Sequence, residues 1–173
     1  MNLMKKKTVL RTVLWLLVLL WAGVIFSFSM EDAEESSSTS GTLIRAILSV
    51  VQSDFDDLTL SEQAQRIDDV QFYVRKAAHF TIYTVFGFLL SAALEVDLGG
   101  KKVFLLALCI GALYAASDEI HQYFVPGRAC QIRDVLIDTC GVCTGALIWK
   151  GILKTVGHFK RKRTASPINN KQG

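Results

Sequence analysis

Charge is scarce in this sequence, and acid is missing from both of its ends. Only 20% of the 173 residues are Asp, Glu, Lys or Arg, against 51% hydrophobic residues. Mean hydropathy is +0.34, too apolar for an average soluble domain of this size, so a membrane protein is the first expectation. Residues 1–30 carry Lys5, Lys6, Lys7 and Arg11 without an acid, and residues 139–173 carry seven Lys or Arg without an acid. Residues 31–74 reverse the balance, with ten acids against Arg45 and Arg66. Charge is sorted here by compartment, which makes nucleic acid a poor partner. Other absences narrow the chemistry. There is no HExxH, no nucleophile elbow and no paired-cysteine zinc pattern, so the commonest hydrolase signatures are missing. The four cysteines form no disulfide framework: Cys109 falls mid-span, Cys130 outside, and Cys140 and Cys143 read as small packing residues beside Gly141 and Gly145.

What is present is a set of long apolar runs. Val13–Phe28 is uncharged and long enough to cross a hydrocarbon core of about 30 Å as a helix. The spans that follow are Ala77–Leu94, Val103–Val125 ended by Pro126 and Gly127, and Val135–Trp149. Basic flanks normally face the cytoplasm, so both termini and the turn Asp97–Lys102 are expected inside and the acidic segment outside. The fold expected is an all-α membrane bundle of four transmembrane helices. Four regions result: 1–30 with the first span, 31–74 as an acidic external loop with amphipathic helices, 75–154 as the core, and 155–173 as a basic cytoplasmic tail able to touch anionic lipid. Within the loop, Glu31–Ser40 reads as unstructured. Leu43, Ile44, Ile47, Leu48 and Val51 form an apolar helix stripe, and a second short helix begins at Thr59, where Glu62 completes a capping-box pattern.

Chemistry concentrates between Ala115 and Gly141, where an apolar segment acquires Asp118, Glu119, His121, Gln122, Arg128, Arg133, Asp134 and Asp138. Charges at a bilayer boundary need partners, because an unpaired one costs several kcal/mol. Helical spacing puts Arg75, His79 and Tyr83 on one face, Asp118 with Gln122 on another, and Asp134 with Asp138 on a third. Asp138 lies about 6 Å below Asp134, and His79 about 6 Å below Arg75, so the two inner groups are expected to meet. Gly141 and Gly145 continue the acidic face as a small-xxx-small pattern that lets helices approach, with Gly87 and Gly111 on the facing spans.

These residues carry a resemblance. Arg75-Lys76-Ala77-Ala78-His79-Phe80 with Tyr83 and Gly87, Ser117-Asp118-Glu119-Ile120-His121-Gln122, Pro126-Gly127-Arg128, and Asp134-Val135-Leu136-Ile137-Asp138-Thr139 with Gly141 resemble, in order, the motifs of the VanZ-like family. The resemblance implies a bacterial integral membrane protein of the cell envelope, related to one that raises resistance to the glycopeptide teicoplanin. It implies a location and a phenotype more than a reaction.

Three readings of the charged residues follow. In the first, Arg75, Lys76, Arg128 and Arg133 hold the phosphate of a lipid-linked cell-wall precursor or an anionic lipid head group, arginine offering a bidentate fork. Asp118, Glu119, Asp134 and Asp138 orient those cations or contact sugar and peptide groups, and His79, Tyr83, His121 and Gln122 complete the candidate ligand set. This reading calls for no cofactor. In the second, His79, His121 and carboxylates hold a divalent metal in a membrane hydrolase or transferase. In the third, the charges neutralise one another and fix helix register in a non-catalytic scaffold.

Overall fold

The computed structural model describes residues 3–31 and 33–165. Five helices follow one another, α1 (Leu3–Met30), α2 (Ala33–Val51), α3 (Leu60–Asp97), α4 (Lys102–Gln122) and α5 (Ile132–Ala165), with one turn of 3₁₀ helix at Phe55–Asp57. No strand occurs among the described residues. α1, α3, α4 and α5 are each long and apolar enough to cross a membrane, and they form the four-helix bundle expected.

The chain enters α3 through the capping box foreseen at Thr59. The Thr59 hydroxyl accepts the Glu62 N–H, and the Glu62 carboxylate accepts the Thr59 N–H at 2.9 Å. The helix then runs for 38 residues, about 57 Å at 1.5 Å per residue, which is longer than a hydrocarbon core needs. The two segments expected as a short helix and a separate span are therefore one rod. Nothing between Leu60 and Leu94 breaks it, since neither Pro nor a turn signal interrupts the sequence there. Gly99 and Gly100, both at positive φ, end it in the left-handed region that glycine tolerates.

A second correction concerns Ser36–Ser40, expected as loop and found inside α2. The Ser40 hydroxyl donates back to the Ser36 carbonyl at 2.7 Å, and the Gln71 amide of α3 donates to the Ser37 carbonyl and the Ser40 hydroxyl. Tertiary bonds to α3 override a composition that favours loop. Of the apolar stripe on α2, Ile44 is buried with Phe55 and Ile67 in a small second core, with Leu48 packed against it. Leu43, Ile47 and Val51 stay exposed.

The main core joins α1, α3, α4 and α5 through Val18, Ile25, Tyr83, Phe86, Leu90, Ala107 and Val142. α3 and α5 run parallel and touch backbone to backbone. A Cβ on Gly87 would meet the Val142 main chain, and one on Gly145 would meet the Thr84 carbonyl and the Phe88 N–H. Here the small-xxx-small expectation holds. α1 is stitched on by its tryptophans: Trp15 donates to Asp97 and Trp21 to the Ile82 carbonyl, both at 2.8 Å. Arg11 pairs with Asp97 at 2.8 Å, and Lys150 and Lys154 of α5 line one cavity with Lys101. The start of α1, the α3–α4 turn and this part of α5 therefore share one end of the bundle. The tail beyond residue 165, and the side chains of Lys160, Lys162 and Arg163 on which its basic reading rests, lie outside the described residues.

Candidate functional site

The opposite end of the bundle gathers the polar residues. α4 stops at Gln122 because Pro126 offers no N–H to continue it. Gly127, at φ +72°, reverses the chain, and the Arg128 N–H closes the turn on the Val125 carbonyl at 3.1 Å. The reversal sends the Arg128 side chain across the mouth. Its guanidinium donates to the Glu31 carbonyl at 3.1 Å, the Gln122 amide oxygen at 3.4 Å and the Phe28 carbonyl at 3.5 Å. These are neutral acceptors, so the charge has no counter-ion within ion-pair distance among the described residues. Partial burial, helped by the nearby Arg75 charge, lowers the Arg128 pKa from its ordinary value.

Arg75 stands on α3 beside it. It has no hydrogen bond and no ion pair among the described residues, where the ion pairs are Arg11 with Asp97, Lys76 with Asp134 and His79 with Asp138. Two cavities meet at these arginines. The larger, of about 460 Å³, lies under α2 with Ile25, Phe28, Leu43, Val74 and Ile82 in its wall. The smaller, of about 210 Å³, reaches toward the start of α5 and is walled by Lys76, Asp134, Gln131 and Gly127. Arg75, His79, Gln122 and Arg128 line both.

Beneath the arginines the polar groups pair across helices. Lys76 Nζ reaches both Asp134 oxygens at 2.5 and 2.6 Å, so this lysine is neutralised by one of the acids expected to orient the cations. Asp134 sits in the first turn of α5, where a negative charge favours the helix dipole. One turn deeper His79 Nδ1 lies 3.5 Å from Asp138 Oδ1, the meeting that equal depth foretold. That contact is short of hydrogen-bond geometry, and Nδ1 and both Asp138 oxygens are enclosed without a hydrogen-bond partner among the described residues. Tyr83 donates to Asp118 Oδ2 at 3.1 Å, with the Gln122 amide at 3.5 Å from the same oxygen. Asp118 Oδ1 is enclosed and unpartnered and belongs to a residue on the larger cavity wall.

The remaining candidates turn elsewhere. Glu119, fully buried, accepts the Gln131 N–H at 2.8 Å and ties α4 to the start of α5. His121 faces α1, with Nδ1 3.4 Å from the Ser29 hydroxyl and its ring stacked near Phe26. Arg133, expected among the phosphate ligands, is exposed and outside both cavity walls, bound to the Gln131 amide oxygen at 2.9 Å and lying over the Phe72 ring. Residue type alone could not tell it from Arg128. Among the described residues no three His, Cys, Asp or Glu side chains converge as a metal site, and His79 and His121 point to different neighbours.

Sequence reasoning missed Ser29 and the carbonyls of Phe28 and Glu31, which join the mouth from α1. The available signal was weak: Ser29 follows Ile25 by four residues on the buried face of α1, and both are buried.

Fold and mouth together define a multi-pass membrane protein whose helices converge on a polar, partly buried end. A family model described as VanZ/LLP1 matches residues 14–154, and the chain belongs to that family. No curated protein and no solved structure matches it.

Proposed function

We propose that this chain lies in a bacterial cell membrane with both termini cytoplasmic. Its mouth faces outward and binds the anionic head group of a lipid-linked or cell-wall ligand, and through that binding the protein contributes to teicoplanin resistance. The orientation rests on acid-free basic ends and an acidic outer segment, the usual charge bias of membrane proteins. One observation carries the ligand. Arg75 and Arg128 stand together at the junction of two cavities with no carboxylate counter-ion among the described residues. Two like charges brought together at a bilayer boundary repel and lose hydration, and a phosphate or pyrophosphate relieves both costs. The larger cavity, with its apolar wall, is suited to a hydrocarbon chain, and the smaller polar one to a head group.

Expression in a glycopeptide-sensitive host, with teicoplanin and vancomycin susceptibility measured side by side, tests the phenotype. The expected result is a teicoplanin-selective loss of susceptibility that Arg75→Gln abolishes at unchanged membrane abundance. Equal susceptibility with and without the protein contradicts it.

A further inference from the structure

A histidine stands beside the arginine pair. His79 lies one helical turn below Arg75 and lines both cavities with Arg75 and Arg128. Its Nδ1 is enclosed against Asp138 at 3.5 Å, while a fifth of the side chain remains accessible, which leaves Nε2 as the ring nitrogen free to serve the cavities. Asp138 is fully buried, and neither of its oxygens has a hydrogen-bond partner among the described residues. A histidine with one nitrogen against a buried carboxylate, and its other nitrogen left for an anion site, is the arrangement that nucleophilic catalysis by imidazole needs. A long contact of this kind commonly tightens when substrate binds.

We propose that the mouth is a phosphoryl-transfer site, which rests on the anion reading above and adds chemistry to it. The substrate class is a phosphomonoester or diphosphate of a long-chain alcohol. Arg75 and Arg128 hold the phosphoryl oxygens and take up the charge of the transition state. His79 Nε2 attacks phosphorus, an N–P bond forms, and the bond from phosphorus to the leaving oxygen breaks. The electron pair leaves with that oxygen, which takes a proton from the Asp118 carboxyl on the cavity wall. Water then attacks the phosphohistidine, Asp118 takes its proton back, the N–P bond breaks, and inorganic phosphate leaves. The sum is ester plus water giving alcohol plus phosphate, or diphosphate plus water giving monophosphate plus phosphate. Asp138 is a positioning residue that holds the ring tautomer, and Asp118 touches the leaving group.

The test uses the full-length protein in phosphatidylcholine nanodiscs with two probes in separate arms, farnesyl diphosphate and phosphatidic acid, each labelled with ³²P on its terminal phosphate. Binding, phosphate release and protein-bound label are read on the same samples. In at least one arm the parent should bind the probe, release phosphate, and show acid-labile, alkali-stable label, the signature of phosphohistidine. His79→Asn should keep binding and lose release about 10³-fold together with the label. Asp138→Asn should lower the catalytic rate about 10²-fold at unchanged KM, the scale of a positioned proton-transfer partner. Asp118→Asn should slow phosphatidic acid more than farnesyl diphosphate, because a departing phosphate needs a proton less than a departing alkoxide does. Release by His79→Asn at the parent rate overturns the proposal. So does a parent that binds both probes but releases nothing from either, which leaves the anion reading standing. A parent that binds neither probe overturns both.

Discussion

Arg75 and Arg128 differ from the other cations at this end of the bundle by having no counter-ion among the described residues. Lys76 is held by both oxygens of Asp134, and Arg133 lies over Phe72 in the open, so neither brings unsatisfied charge to the cavities. Arg128 is preset by a turn and by the carbonyls of Phe28 in α1 and of Glu31 just beyond it, and its planar fork suits a phosphate. Arg128→Lys keeps the charge but loses the fork, and should weaken anion binding about tenfold, or about 1.4 kcal/mol. Equal binding by the lysine variant rules out bidentate recognition. Asp138 makes a second prediction at this scale. Asparagine keeps its size and removes its charge, so Asp138→Asn should insert and accumulate normally yet lose the resistance phenotype. Full activity at normal abundance sinks a charged role. The His79–Asp138 meeting was legible because two i, i+4 pairs on parallel helices set depth by simple rise. That Arg133 lies over Phe72 and His121 against Ser29 and Phe26 was not, because one helical step decides which neighbour a side chain meets.

At the scale of elements, α3 and α5 are the pair on which the mouth depends, and their glycines set its width. Gly87→Val should destabilise by about 1–3 kcal/mol through overpacking, since a Cβ there already meets the Val142 backbone, and thermal melting of the purified protein reads this directly. Gly151→Ala is the control, with nothing near a new Cβ, and should hold or raise stability slightly. Equal melting of Gly87→Val and the parent contradicts close α3–α5 contact. The spans and the glycine pattern could be read from the sequence because lipid demands long apolar helices and small residues at their contacts. The continuity of α3 through Arg75 and the helicity of the Ser-rich stretch could not. One is the lack of any stop signal across a change of hydropathy, and the other depends on Gln71 reaching Ser37 and Ser40 from 34 and 31 residues away.

For the whole molecule, the Arg11–Asp97 pair and the Lys150 and Lys154 end of α5 stand opposite the charged mouth, so one measurement of sidedness fixes all of it. In intact cells a membrane-impermeant thiol reagent should label the exposed Cys130 and should miss a cysteine introduced by Lys154→Cys until the membrane is opened. Labelling at position 154 in sealed cells reverses the orientation. Sidedness matters because a glycopeptide acts at the outer surface, and a mouth facing inward cannot meet its target there.

Arg75 and Arg128, without a counter-ion among the described residues, either hold an anionic amphiphile or do not. Binding of farnesyl diphosphate to the full-length protein in nanodiscs, measured by titration for the parent, Arg75→Gln and the Arg75→Gln/Arg128→Gln double variant, decides it. The predicted result is saturable binding by the parent, at least tenfold weaker in the single variant, lost in the double, and weakened by salt less than surface charges would be. Binding of equal strength in all three proteins contradicts the account.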